Sequence, residues 1–331
     1  MGTQGKRESS TSVASVLALL VVLAVFALAA CGGSSTTASS SPSVAPTESA
    51  SPATVQTSTL TVRIPGKNAT WTEKKQMYEY DRSEPLDFKE LGTVDWGGVP
   101  GSWIEYTSAG CRVPSVLVIP EGEGPFPVVL CAPGGTCTPT LFKLDMAALA
   151  RMGIASLAIT PPDGRAPGVA ASAKAAVNIK SDVRYVVDLR RALDLLETLP
   201  QADGKRIGFV GESWGGGDGA LLAGVDQRIK AYVLTYAGGS VRGLAPLLVG
   251  EVQDPAEYVA HNRGAAFLFQ YTKEDFDNQA FAPKRIAALF AATPKPKLFQ
   301  WVPGYHGEIF DSPQGRACRF HRAWLDKNLQ E

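Results

Sequence analysis

The chain has 331 residues, 45% of them hydrophobic, with 32 basic and 32 acidic side chains. That balance gives no electrostatic ground for a nucleic-acid partner or an anionic surface. The length fits one large α/β domain or two small ones once a non-globular N-terminus is set aside.

Lys6 and Arg7 form a short basic start, and residues 13–30 are almost entirely apolar. This run ends in Leu28-Ala29-Ala30-Cys31, followed by Gly32 and Gly33. Small residues before a cleavage point suit a signal peptidase. The pattern resembles the lipobox of bacterial lipoproteins, which implies that Cys31 is lipidated and becomes the new N-terminus. Two buried acyl chains would hold the protein on the outer face of the membrane, where one chain is marginal. An uncleaved membrane helix is the alternative, though 18 apolar residues is at the lower limit for spanning. A plain signal peptide with an incidental cysteine is the third reading. From Gly32 to about Thr59 the chain is mostly Ser, Thr, Ala and Pro. Such a segment buries too little apolar surface to offset chain ordering, so it is expected to be a disordered tether. The expected division is 1–30 signal peptide, 31–59 tether and 60–331 folded domain.

Within that domain, 91–96, 103–107 and 113–119 read as short strands joined by Gly and Pro turns, hairpin fashion. Residues 126–131 form a continuous apolar run, which fits a strand buried on both faces. It leads into Ala132-Pro133-Gly134-Gly135. Helical spacing follows over 139–152, then a strand at 154–159 and a long loop from Thr160. The clearest helix is 179–199, with Ile179, Val183, Val186, Val187, Leu193 and Leu196 largely on one face and Pro200 ending it. An apolar strand at 206–210 and a helix-compatible run at 216–223 flank the pentapeptide 211–215. Strand 229–235, strand 265–270, helix 282–292, strand 297–302 and a helix from about 316 to 329 complete the order. The stretch 238–264 is either a small cap over a pocket or a surface excursion. This alternation predicts an α/β fold with a mostly parallel central sheet, helices on both faces and an antiparallel N-terminal edge.

The pentapeptide reads Gly211-Glu212-Ser213-Trp214-Gly215. A serine between strand and helix sits in a strained turn that lifts its hydroxyl above the sheet, and the flanking glycines relieve the crowding. The helix after it directs its positive end at the site. A serine hydroxyl needs a base, and the base needs a group to hold it. Only three histidines exist. His306, in Pro303-Gly304-Tyr305-His306-Gly307, follows the last strand and is the expected base. His261 precedes the 265–270 strand at the end opposite the site and is second. His321 falls in a helical pattern and reads as a packing or surface residue. The acid is expected in the loop after 265–270, where Asp275 is best placed, Asp277 second and Glu274 third. In parallel sheets, sites form at the carboxyl ends of strands, so Ser213, Gly135, Asp275 and His306 should converge there.

The order Ser213, Asp275, His306 matches the serine–acid–histidine order of the α/β-hydrolase fold. From about Pro114 onward the chain resembles that superfamily. Residues 206–216, 265–270 and 303–307 resemble its dienelactone-hydrolase-like group. Serine stands where dienelactone hydrolases have cysteine, and Thr272 stands where the group often has glycine. The resemblance therefore implies a serine hydrolase acting on small carboxylic esters through an acyl-enzyme. A peptidase, an acyltransferase, or a non-catalytic surface binding protein on the same scaffold are the other readings. The oxyanion hole is expected from the N–H of Trp214 and one from the 132–136 loop, where Pro133 cannot donate and Gly135 or Thr136 can.

No cofactor and no metal are expected, since the spacing of Cys111, Cys131, Cys137 and Cys318 matches no zinc motif. Those four are an even number in a disulfide-permissive setting, with connectivity open and Cys131 better read as a core thiol. Trp96, Trp103, Trp214 and Trp301 read as core rather than as a pocket lining. Asn68-Ala69-Thr70 is a formal glycosylation sequon, which the lipobox resemblance, implying a bacterium, makes uninformative. Oligomeric state is left open.

Overall fold

The computed structural model describes residues 59–330 apart from 67, 136, 166–178, 238–252, 274–281, 307 and 312–314. Cys31, the tether, Thr136, most of 238–264 and all three candidate acids lie outside the described residues. Among the described residues no helix is long and apolar enough to cross a membrane.

A short helix, α1 (Trp71–Gln76), opens the described chain, and the sequon threonine turns out to be its cap. The Thr70 hydroxyl accepts from the Glu73 N–H while the Glu73 carboxylate accepts from the Thr70 N–H, a reciprocal capping box. Strands β1 (Lys89–Asp95), β2 (Pro100–Ser108) and β3 (Cys111–Val118) then form an antiparallel meander. β4 (Phe126–Ala132) enters the sheet centre, followed by α2 (Lys143–Arg151), β5 (Ala155–Ile159) and α3 (Ile179–Thr198). β6 (Ala202–Glu212), α4 (Trp214–Val225), β7 (Ile229–Thr235), α5 (Pro255–Val259) and β8 (Ala266–Thr272) follow. α6 (Ala282–Ala292), β9 (Lys297–Val302), α7 (Glu308–Asp311) and α8 (Arg316–Leu329) close the order.

Among the described residues nine strands make one sheet in the order β1-β2-β3-β5-β4-β6-β7-β8-β9. β3 pairs antiparallel with β5, and every pair from there to β9 is parallel. The antiparallel edge and parallel body expected from the sequence are thus both present. The expected 139–152 helix begins as a 3-10 turn, Pro139–Phe142, before α2 proper, as a proline at the first position allows.

Alternation along each central strand divides the core between the two faces of the sheet. Val128, Leu130 and Ala132 of β4 join Phe209 of β6 and Tyr232 of β7 beneath α3, α4, α5 and α6. Val129 and Cys131 face the other way with Val210 and Val233, packed by Met146 and Leu149 of α2 and Leu325 and Leu329 of α8. Cys131 is fully buried, and burial pushes its thiol well up, in keeping with a core role. The four described cysteines are free thiols. Trp96 is likewise core, edge-on to Trp103 at 5.7 Å, whereas Trp301 is 46% exposed and departs from the core expectation.

Candidate active site

Register places the ends of five strands on one edge. Ala132 of β4 pairs with Gly211 of β6, Glu212 with Thr235 of β7, Thr235 with Gln270 of β8, and Thr272 with Val302 of β9. The Pro133–Gly135 loop, Ser213, Tyr236, the loop after Thr272 and the His306 loop therefore all leave the sheet at its carboxyl edge.

Ser213 occupies the single residue between β6 and α4, at φ +53° and ψ −112°, and is half-buried. A positive φ in a non-glycine residue costs on the order of 1–3 kcal/mol and persists only where the surroundings impose it. They do so here. The Ser213 N–H donates to Thr235 O at 2.9 Å, its carbonyl accepts from the Gly217 N–H at 3.0 Å, and the Thr235 hydroxyl donates to Gly211 O at 3.0 Å. The turn is so tight that a Cβ at Gly211 would lie 2.4 Å from Gly215 O. One at Gly215 would lie 1.9 Å from Ala132 O. The two glycines are thus required by close backbone approach. α4 then aims its N-terminal N–H groups at the space above Ser213.

The 132–135 loop lies directly beside this turn, for a Cβ at Gly134 would be 2.7 Å from Ser213 Cβ. The Gly134 N–H already donates to Glu212 Oε2 at 3.1 Å, and Pro133 has none to give. Gly135, at φ +56° beside the Trp214 ring, is the next donor along the loop.

His306 comes to the same place from β9. Its Nε2 lies 3.4 Å from Glu212 Oε1, its ring is 28% exposed, and it packs at 4.6 Å against the Tyr236 ring. Tyr236, itself at φ +55°, donates its hydroxyl to Tyr305 O at 3.0 Å and so fixes the loop that carries the histidine. Sequence reasoning missed both Glu212 and Tyr236. Glu212 lies inside the motif whose reading rests on its serine, its glycines and the Trp214 N–H, and Tyr236 directly follows a strand at the carboxyl edge.

The other two histidines are elsewhere. His261 lies before β8 at the opposite end of the sheet, stacked on Trp71 at 3.7 Å. His321 is fully buried rather than at the surface, between Asp145 Oδ2 at 2.9 Å and Gln270 Oε1 at 3.2 Å. With Asp145 and Cys318 it forms a trio whose ligand atoms lie within 4.8 Å of one another. Its atoms are already engaged: Arg322 donates to Asp145 Oδ1 at 2.5 Å and the Cys318 thiol to Ile309 O at 2.9 Å. The guanidinium on Asp145 opposes a cation, and the trio reads as a hydrogen-bonded clamp between α2 and α8. Asp218, on α4 beneath the serine turn, is buried, and burial, then Asp163, pushes its carboxyl well above the usual range.

No family model matches the chain, and no curated protein sequence is similar to it at a significant level. Solved structures are similar in fold. An acetyl xylan esterase from Paenibacillus sp. R4 superposes with a TM-score of 0.60 at 19% identity, covering 78% of this chain and 92% of that one. Acetyl xylan esterase 1 from Thermoanaerobacterium sp. JW/SL YS485 gives 0.60 at 15% identity, covering 80% and 96%. A protein described as a putative dienelactone hydrolase from Klebsiella pneumoniae gives 0.53 at 16%, covering 66% and 95%. The chain has the α/β-hydrolase fold.

Proposed function

We propose that the protein is a serine hydrolase of carboxylic esters, with Ser213 as nucleophile, His306 as base and Asp275 as the acid that orients it. The observation that carries this reading is the Ser213 turn, a strained serine held between β6 and α4 by glycines that admit no side chain. The esterases among the structures of similar fold support it. In the acylation step Ser213 Oγ bonds to the ester carbonyl carbon and its proton passes to His306 Nε2. The carbonyl electrons move onto oxygen, which the N–H groups of Trp214 and Gly135 receive; losing one such donor costs about 2.7–4 kcal/mol. Collapse expels the alcohol, which takes the proton from His306, and water then releases the acid by the same path. Asp275 acts on Nδ1, fixing the tautomer and stabilising the imidazolium.

A fluorophosphonate probe should label the wild type at Ser213 and leave Ser213→Ala unlabelled. Hydrolysis of p-nitrophenyl acetate should fall by roughly 10⁴-fold or more in that variant. Equal labelling of the two proteins sinks the assignment. Asp275→Asn should cost roughly 10⁴-fold in kcat while Asp277→Asn leaves activity near wild type; the reverse would move the acid to Asp277.

The same reading places the enzyme outside the cytoplasm, held at the membrane by a lipid on Cys31. The residues 28–31 support this.

A further inference from the structure

We propose that Glu212, the residue before the nucleophile, is a positioning residue that uses one carboxylate to hold both the oxyanion loop and the base. The inference rests on His306 being that base. The Glu212 side chain is only 6% exposed, and a buried carboxylate is retained only with partners for its oxygens. Oε2 accepts the Gly134 N–H at 3.1 Å. A Cβ at Gly134 would sit 2.6 Å from that same oxygen, so glycine is what lets the carboxylate reach the loop backbone. Oε1 lies 3.4 Å from His306 Nε2, at ion-pair rather than hydrogen-bond distance.

Two consequences follow for the reaction. The loop that supplies the second oxyanion donor is located by a side chain one residue from Ser213, so donor and nucleophile are set by a common element. When the serine proton arrives at Nε2, the resulting imidazolium has a fixed carboxylate on that side of the ring. The triad acid acts on the other side, at Nδ1. A carboxylate so near raises the proton affinity of the base. The groups that the described residues place against His306 are Glu212 from β6 and Tyr236 after β7; the charged residues Glu274, Asp275 and Asp277 that follow β8 lie outside the described residues. Tyr236 presents its ring and spends its hydroxyl on Tyr305 O, leaving Glu212 as the charge that β6 and β7 bring to the ring.

Glu212→Gln keeps the volume and an acceptor for Gly134 while removing the charge. Its acid limb in kcat/KM against pH, measured on p-nitrophenyl acetate, should move about one unit lower, with the plateau within tenfold of wild type. Glu212→Ala removes the brace as well, and kcat should fall at least tenfold with KM little changed and fluorophosphonate labelling slowed in proportion. Unfolding midpoints of both variants show whether the fold is kept. If the Gln variant does not fold, Glu212→Asp replaces it, drawing the charge back by one methylene; its acid limb should move the same way by less. An unmoved limb overturns the proposal, as does an equal loss at every pH in Gln and Ala. Wild-type activity in Ser213→Ala or His306→Ala would instead overturn the triad, a separate outcome.

Discussion

Gly215 and Gly217 are two positions apart on α4 and meet opposite surroundings. A methyl at 215 would lie 1.9 Å from Ala132 O, a distance no side-chain rotation relieves because the obstacle is backbone. Gly215→Ala should therefore push the serine turn away from the 132–135 loop. A displacement near 1 Å at a reacting centre costs about 10²-fold, and kcat/KM should fall by at least that much. A methyl at 217 meets nothing within 4 Å, and the residue is helical. Gly217→Ala should leave kcat unchanged and raise stability by about 0.4–1 kcal/mol, read as a higher urea midpoint, because the unfolded chain loses freedom. Similar behaviour of the two variants would contradict the account of the turn. The motif glycines 211 and 215 were legible in the sequence. The role of Glu212 was not, because nothing local tells a buried carboxylate from a solvated one.

The clamp between α2 and α8 sets the behaviour of a pair of elements. Asp145 is fully enclosed, and burial alone would raise its pKa. His321 and Arg322 overcome that and hold it below the usual carboxylate range. The folded pKa thus lies under the unfolded one, near 3.9. The stability this contributes is present above about pH 4 and is lost as pH falls through the depressed folded value. Asp145→Asn removes the buried negative charge that His321 and Arg322 meet, and at pH 7 it should cost about 3–5 kcal/mol in urea unfolding. The gap to wild type should close below pH 4. A constant gap across that range would show that packing, not charge, sets the cost. Helical spacing placed His321 on α8, but its charged partner on α2 lies 176 positions earlier, beyond any local pattern.

For the whole molecule, composition separates 1–59 from the rest of the chain. A chain beginning at residue 60 should unfold at the wild-type urea midpoint and hydrolyse p-nitrophenyl acetate at the rate of the full chain. It should also move from the detergent phase to the aqueous phase in Triton X-114 partition, as should a Cys31→Ser variant. Continued detergent partition of both forms would remove the lipid anchor. A lower midpoint in the truncated chain would show that the N-terminal segment contributes to the fold.

Periodicity and short motifs determined the element order, the parallel body with its antiparallel edge, and Ser213 as the candidate nucleophile. These properties are local, because strand alternation and turn chemistry are set within a few residues. Only the tertiary structure decided that Glu212 faces His306, that Tyr236 fixes the histidine loop, and that the Gly134 N–H is committed to Glu212. It also turned the Thr70 sequon into a helix cap and His321 into part of a buried network. Apart from that cap, these contacts join residues far apart in the chain, and their partners are set by sheet register and burial, which no window of sequence contains.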